Sequence, residues 1–272
     1  MVYEFKDFGQ TAEPSPLSIR TIIDGIELDY ELTFGGFSFT TTSVSGRGRV
    51  TYRNDVDEVY GRAGGLHRKT TLSTRSIVVT AKVSARSNEL YREGMSALLN
   101  LLESQEVHSI KFTDDMAYTF YGSTVSVNDE GEKSNKQVIE IEFLCSDPFK
   151  YSDEKITTVS NAETLSIDSE FPVVPEEIEI TFGSAADAKS FSLNNTTTDM
   201  RIVYDHTGSA SSTTVRIRQK DDYIGYTSSV NHLDALNIAQ SHFDEFTVVS
   251  GDQLVVTPAP TRIKLKYRGV SL

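Results

Sequence analysis

The sequence predicts a mainly β protein with one main helix, divided into two domains. Thr, Ser, Val, Ile, Tyr and Phe are abundant, a composition that favours strands. Apolar and polar residues alternate in many short segments, whereas clear helical spacing occurs in one stretch between residues 87 and 102. The 272 residues, 38% of them hydrophobic, can form two cores. Beyond Asp147–Tyr151 the sequence changes to short strands that alternate with turn residues. We therefore predict domains at residues 1–148 and 149–272.

The first seventy residues combine short strands with a long irregular segment. Strand-forming residues dominate 19–42, and Asp24-Gly25 predicts a tight turn between two short strands. Gly35-Gly36, flanked by phenylalanines, predicts a second turn or a bulge. Residues 45–70 contain five glycines and several arginines, so we predict a flexible basic loop there.

A strand and the main helix follow this loop. In residues 76–83 every second residue is apolar, which predicts a strand with one buried face. Ser87 or Asn88 can cap the helix that comes next. Its apolar stripe has the spacing of a core-facing helix and consists of Tyr91, Met95, Leu98 and Leu102, widened by Leu99 and Leu101. We therefore predict an N-terminal β-sandwich-like domain with a packed α-helix.

Three more strands complete the predicted N-terminal domain. They cover residues 107–112, 118–127 and 137–145, and Gly122 is the expected site of a bulge. A polar hairpin loop at 128–136 joins the last two. The final strand should place Ile139, Ile141, Phe143 and Cys145 on its buried face and leave Glu140 and Glu142 in water.

The C-terminal half predicts an antiparallel β-sandwich. Short strands alternate there with turns rich in Ser, Thr, Asn, Gly and Asp. Residues 230–246 have mixed periodicity and are expected to hold one helical turn. The predicted strands are 176–182, 190–193, 201–205, 213–219, 246–249, 253–256 and 262–267.

The residues that catalysis would need do not form a recognisable set. One Cys excludes an intramolecular disulfide, and the five His lack zinc-ligand spacing. Cys145 lies among strand residues, which favours a buried inert thiol. Neither a phosphate-binding loop nor a nucleophile elbow is present. We therefore predict no enzyme, no cofactor and no metal site.

The charge of the chain is acidic overall and uneven. A net charge of −13 opposes binding to nucleic acid and to anionic membranes. No apolar run is long enough to span a bilayer, and the N-terminus lacks the pattern of a signal peptide. Between Arg47 and Arg92, however, ten basic and four acidic residues give +6, which leaves −19 for the rest. This contrast favours self-association or an acidic partner, with a solvated loop as the alternative.

A family resemblance adds to these inferences. Its segments are Ile110–Asp115, Tyr118–Gly122, Ile141–Tyr151 with its Asp-Pro-Phe-Lys-Tyr ending, Val248–Val256 with Gln253 where the related turn often has Asn, and Ile263–Arg268. In this order they resemble the distal tail protein family of long-tailed phages, the siphophages. The resemblance covers most of residues 75–272 and leaves residues 1–20 unmatched.

The resemblance implies a structural role in a virion. It implies that residues 1–148 form a ring, usually a hexamer, that links the tail tube to tail-tip or baseplate proteins. It implies that residues 149–272 form a galectin-like sandwich that points outward and often carries receptor-binding proteins. Such a protein is made in the host cytoplasm by a phage or prophage and has no catalytic activity.

Two sets of site residues follow. The basic loop should contribute to the subunit interface through Arg47, Arg49, Arg53, Arg62 and Arg68, and the domain junction should consist of Asp147, Pro148 and Tyr151. Charge reversal of Arg47, Arg49 and Arg62 together is expected to weaken assembly without affecting folding.

Two other functions remain open at this point. A galectin-like sandwich can belong to a carbohydrate-binding module, with Tyr223 and Tyr226 in place of the absent Trp. The second alternative is a tail-associated glycosidase. Its two catalytic carboxylates can be far apart in the sequence and come together only in the folded protein.

Overall fold

The computed structural model describes residues 19–48, 50–58, 60–61, 63–103, 107–129, 134–226 and 230–272. Contacts divide it into two compact units, the first ending at Pro148 and the second comprising Phe149–Ser271. Antiparallel pairing dominates both units, and each has its own apolar core. The prediction of a mainly β protein with one main helix is confirmed.

The first unit contains two sheets that share one strand. Its elements are β1 (Thr21–Ile23), β2 (Ile26–Glu27), α1 (Leu28–Glu31), β3 (Phe37–Ser45), β4 (Tyr52–Glu58), β5 (Gly65–Leu72), β6 (Arg75–Ala85), α2 (Asn88–Leu102), β7 (His108–Phe112), β8 (Tyr118–Asp129) and β9 (Lys136–Cys145). One sheet has the order β2-β1-β7-β8 and the other β3-β6-β9-β8. The strand β8 pairs with β7 in its first half and with β9 in its second half.

Both predicted glycine turns are present. Asp24 and Gly25 join β1 to β2 with φ values of 51° and 82°, which suits an Asp-Gly hairpin turn. Phe34 and Phe37 exchange backbone hydrogen bonds of 3.0 and 2.7 Å around Gly35-Gly36. Both of these glycines also have positive φ.

The two central strands alternate as predicted. Residues Ile77, Val79, Ala81 and Val83 of β6 are fully buried, as are Ile139, Ile141, Phe143 and Cys145 of β9. On the outer face the hydroxyl of Ser76 donates to Glu142 across the pair at 2.7 Å. The predicted wet and buried faces are therefore confirmed.

The helix α2 covers this core. Its N-cap is Ser87, whose hydroxyl accepts a hydrogen bond from the backbone N–H of Leu90 at 3.3 Å. The buried residues are Tyr91, Gly94, Leu98 and Leu102, whereas Leu99 is half-exposed. The predicted stripe is correct in direction, but it omitted Gly94. A Cβ at that position would lie 2.2 Å from the ring of the buried Phe37.

The predicted bulge at Gly122 is wrong in position. The register of β8 against β9 shifts between Thr124 and Ser126. Gly122 instead allows β9 to approach β8 closely. A Cβ at this position would lie 2.9 Å from Sγ of Cys145 and 3.2 Å from the carbonyl oxygen of Leu144.

A carboxylate in the short helix α1 joins the two sheets. Asp29 accepts hydrogen bonds from the backbone N–H of Thr21 in β1 at 3.3 Å and of Thr41 in β3 at 2.7 Å. The hydroxyl of Thr41 donates to it as well, at 2.7 Å. One side chain thus satisfies the donors of two strand edges that do not pair with each other.

The second unit is a sandwich of a five-stranded and a three-stranded sheet. Its strands are β10 (Lys150–Val159), β11 (Glu177–Thr181), β12 (Ser190–Asn195), β13 (Met200–Asp205), β14 (Thr214–Arg218), β15 (Tyr223–Gly225), β16 (Leu254–Thr257) and β17 (Arg262–Ser271). Their orders are β10-β17-β11-β14-β15 and β13-β12-β16. Single 3₁₀ turns occur at Asp187–Lys189, Gln219–Asp221, Leu233–Ala235 and Ile238–Gln240.

Three predictions for this unit need correction. Residues 246–249 are not a strand, since only Val248 makes an isolated bridge, to Val173. The strands β10 and β15 were not predicted, because β10 carries charged residues at successive positions and β15 is three residues long. Residues 230–246 hold two 3₁₀ turns instead of one helical turn.

Candidate functional site

The predicted flexible basic loop is a β-hairpin. Among the described residues, the strands β4 and β5 pair only with each other, from Tyr52 opposite Leu72 to Glu58 opposite Gly65. None of the described residues in either strand is buried. The prediction of an irregular loop is therefore wrong, and the reason is physical. A hairpin with no buried face has no need of the apolar alternation by which strands are recognised.

The two faces of this hairpin differ in chemistry. Pairing places Tyr52, Asn54, Val56, His67, Thr70 and Leu72 on one face, with Tyr52 and Val56 both exposed. We call it the uncharged face, although Glu58 lies at its end opposite Gly65. Polar members of this set bond to one another, since the Thr70 hydroxyl donates to Asn54 at 2.6 Å and lies 2.8 Å from Nε2 of His67. The opposite face carries charges of both signs, at Arg53, Asp55, Asp57 and Lys69.

The structure describes three of the five predicted interface arginines, and their surroundings differ. Arg53 is exposed on the charged face. Arg68 pairs with Asp57 of the facing strand. Arg49 and Arg62 lie outside the described residues. Arg47 forms an ion pair with Asp114 within the first unit, and its side chain is 22% exposed.

Arg47 lies two residues after the end of β3. It belongs to the root of the hairpin, by which we mean the place where the chain leaves the first unit to form β4 and β5. Its guanidinium donates two hydrogen bonds to the carboxylate of Asp114, in the turn between β7 and β8, at 2.7 and 2.9 Å. These bonds hold the pKa of Asp114 below its usual value, against the opposing effect of partial burial. The guanidinium also lies 4.7 Å from the ring centre of Phe112.

A second arginine reinforces this root. Arg75, the first residue of β6, is buried and donates through Nη1 to the backbone carbonyl of Arg47. It lies over the ring of Phe120 at 5.3 Å, and that ring meets Phe112 edge to face at 6.4 Å. Its Nε and Nη2 have no hydrogen-bond partner among the described residues, and burial lowers its pKa.

Sequence reasoning missed Asp114, Arg75 and Gly46 as members of this root. Gly46 has a φ of 90°, and a Cβ on it would lie 1.9 Å from the carbonyl oxygen of Ser76. Only glycine fits there. The missing signal is spatial, because Asp114 lies 67 positions away from the arginine it binds.

The predicted junction residues lie on both sides of the division between the units. Pro148 ends the first unit, which also contains Asp147. Tyr151 belongs to β10, opposite Val270, so the predicted turn ends earlier than expected. Phe149 and Tyr151 pack against the core of the second unit, and Phe149 meets Phe171 at 4.7 Å.

The tyrosines considered for sugar binding are not available for stacking. Tyr223 and Tyr226 are buried, and the ring of Tyr223 is covered by the guanidinium of Arg218 at 4.3 Å. A sugar-stacking platform requires an exposed ring. The structure therefore removes the residues on which the carbohydrate-binding alternative rested.

Cys145 has the environment of an inert thiol. It is fully buried, and burial raises its pKa to about 11, although Arg75 partly opposes this. The neighbouring Asp147 raises the pKa further. Because the thiolate is the reactive form, the thiol stays protonated at neutral pH.

We predict that Cys145 in the native protein reacts with Ellman's reagent at pH 8 at least about 100-fold more slowly than in the unfolded chain. The measurement is thiol release with and without guanidinium, and it is unambiguous because the chain has one Cys. Rapid modification of the native protein would mean that β9 opens.

The described residues contain neither a metal-binding cluster nor a membrane-spanning helix. Within them, no group of three or more His, Cys, Asp or Glu side chains is arranged to hold a metal ion. No helix in the part of the chain that the structure describes is long and apolar enough to cross a membrane.

Residues 9–145, half of the chain, match the family described as "Phage tail protein RIFT-related domain". This match begins well before residue 75, where the resemblance seen in the sequence started, and it includes the hairpin. The distal tail protein of Bacillus phage SPP1 is 27% identical over 143 residues, which are 52% of this chain and 56% of that protein. The sequence match thus spans just over half the length of this relative.

Structural similarity extends over both units. The crystal structure of SPP1 Dit (gp 19.1), described as "a Paradigm of Hub Adsorption Apparatus in Gram-positive Infecting Phages", aligns with a TM-score of 0.74. The alignment covers 93% of this chain and 99% of that one at 19% identity, which establishes a shared fold. A structure of the phage P2 baseplate in its activated conformation with Ca aligns with a TM-score of 0.49 at 11% identity, over 93% of this chain and 98% of that one.

Proposed function

Because the chain belongs to the phage tail protein RIFT-related family, we propose that it is a structural hub of a phage tail tip or baseplate. Its resemblance to the siphophage distal tail proteins is confirmed. SPP1 Dit is described as a hub of the adsorption apparatus, and the shared fold supports the same role for this chain. The hub is a scaffold and catalyses no reaction.

The hub forms by ring assembly of identical subunits. The hairpin β4–β5 is the observation that carries this proposal, because an isolated two-stranded hairpin is marginally stable in water. It gains stability when a partner covers one of its faces. A second copy of the chain is the partner that the charges favour, since the segment containing the hairpin is basic and the remainder is strongly acidic.

A contact of this kind is head-to-tail. The hairpin of one subunit meets a different surface of the next, and such contacts close into a ring when the rotation allows. The family resemblance implies six copies. The ring joins the tail tube to the tail-tip protein, and the second unit points outward and carries receptor-binding proteins. The protein is thus a component of the virion.

The direct test of ring assembly is native mass spectrometry of the purified full chain at increasing concentration. We expect a closed oligomer with a mass near six subunits. Negative-stain images would show the ring. A protein that stays monomeric at high concentration and does not bind tail-tube or tail-tip partners would contradict the proposal.

The charges that contribute to assembly should be Arg53 and Lys69. Both are exposed on the charged face, where Thr71 lies opposite Arg53 and Asp55 lies opposite Lys69. Reversal of both, to Glu, is expected to weaken assembly by about 10- to 100-fold at low salt and less at high salt. The measurement is the concentration at which half of the subunits are in rings.

These two residues replace Arg47, Arg49 and Arg62, the set expected from the sequence. Reversal of Arg47 would also break its bonds to Asp114, so its effect on assembly would not report on the interface alone. A matched control is Val56→Glu on the uncharged face. If Val56→Glu abolishes assembly while the double reversal has no effect, packing of the uncharged face holds the subunits together.

A further inference from the structure

Two chain segments connect the hairpin to the first unit. The segment that leaves the hairpin is held by strand pairing, whereas the segment that enters it is not. On the held side, β6 begins at Arg75, which lies opposite Cys145 of β9. On the other side, the pairing of β3 with β6 ends at Ser45 opposite Val78, and the hairpin begins only at Tyr52. The described residues of the segment 46–51 belong to no strand. Their side chains contact the body of the first unit through Arg47, whose guanidinium donates two bonds to Asp114 and lies over the ring of Phe112.

We infer that Asp114 is a positioning residue for the hairpin. By holding Arg47, its carboxylate sets the direction in which the chain leaves the first unit after β3, and with it the direction of β4 and β5. The effect on assembly rests on the proposed function. A hairpin that already points in the right direction binds a second copy at a lower entropic cost. We call this arrangement the root latch, comprising Arg47, Arg75, Asp114, Phe112 and Phe120.

The aromatic rings give the root latch a rigid base. Phe112 and Phe120 are both buried and belong to neighbouring strands, β7 and β8. Each carries one guanidinium on its face, Arg47 on Phe112 and Arg75 on Phe120. Planar guanidinium groups stack well on such rings, and the bidentate geometry to a carboxylate is specific to arginine. Asp114 therefore acts on a side chain that is already oriented.

The burial of Arg75 indicates that the root contributes to function as well as to stability. A buried charge with unpaired donors is costly, and replacing such a group by an apolar one is often neutral or stabilising. Arg75 nevertheless keeps Nε and Nη2 without described partners. What it gains is the bond to the carbonyl of Arg47, which fixes the backbone at the start of the hairpin.

The test compares Asp114→Asn with Asp115→Asn in the full chain. Both changes remove one carboxylate from the same turn, but no described residue pairs with the Asp115 side chain. Trypsin can cut the exposed hairpin at Arg53, Arg68 and Lys69, so the initial rate of cleavage there reports how firmly the hairpin is held. We expect cleavage to be about fivefold to tenfold faster in D114N, because a charge-assisted bidentate pair is lost, and unchanged in D115N.

Assembly is the second readout. If the unlatched hairpin points correctly only part of the time, apparent affinity falls by that fraction, so D114N should assemble about fivefold to tenfold more weakly. The swap Arg47→Asp with Asp114→Arg should recover part of both losses. A conservative change, Asp114→Glu, should recover more.

The outcomes separate the two proposals. Equal cleavage of D114N and D115N would overturn the root latch. Faster cleavage with undiminished assembly would overturn its role in positioning. If the wild type forms no ring under any condition, the proposed function fails, and the cleavage comparison still decides whether Asp114 fixes the hairpin.

Discussion

Replacing Tyr52–Leu72 with a linker of about four glycine and serine residues is expected to leave the protein folded and monomeric. The removed segment has no buried residue among those described, so the core of the first unit loses nothing. Its ends already lie together, because the backbone N–H of Ser73 donates to the carbonyl of Thr51 at 2.8 Å. A short linker can therefore close the gap at small entropic cost.

The expected loss of assembly is at least about 1000-fold, which corresponds to about 4 kcal/mol of contact free energy. Native mass spectrometry measures it, and the thermal midpoint should stay within a few degrees of the wild type. The matched control inserts the same linker after Gly183, an exposed turn residue of the second unit, where a ring should still form. A deletion variant that still assembles into rings would show that the hairpin is not the principal contact.

The second large effect is expected at Gly94. Val at this position would force a Cβ to within 2.2 Å of the ring of Phe37, a side chain that is itself 1% exposed. Neither the helix nor the ring has free space into which to move, because protein cores are close-packed. We expect Gly94→Val to destabilise the first unit by about 3 kcal/mol, at the upper end of overpacking costs.

The measurement is urea unfolding followed by circular dichroism. Ser96→Val is the matched control, because it adds a β-branched residue on the exposed side of the same helix and should cost less than about 1 kcal/mol. Combining Gly94→Val with Phe37→Leu should recover at least about 1 kcal/mol relative to the sum of the single changes. Strict additivity of the two changes would show that the ring and the helix do not press on each other.

The strands and the helix that were predicted correctly share one property. Each has one face in a core, so its apolar residues repeat with the period of its backbone, as in β6, β9 and α2. Elements without a clear apolar repeat were missed or misread. The hairpin β4–β5 is exposed on both faces, and β10 carries charged residues at successive positions.

Part of the candidate site could likewise be predicted from the sequence, and part could not. The excess of basic residues drew attention to the segment that contains the hairpin, and the glycines indicated a change of direction within it. Composition does not distinguish a guanidinium that faces solvent from one that is bound. Arg53 is exposed, whereas Arg47 is engaged by a carboxylate that the chain brings back after 67 residues.

By itself, the sequence determined the fold class and the facing of the principal strands and helix, because these depend on periodicity. The family followed from the resemblance of short segments, such as Ile141–Tyr151, to a known family. Only the tertiary structure decided that the basic segment is a hairpin, that Arg47 and Arg75 form its root, and that Gly94 lies beneath Phe37. These features depend on contacts between residues far apart in the chain. Such contacts leave no local pattern, since each partner need only be compatible with its own strand or turn.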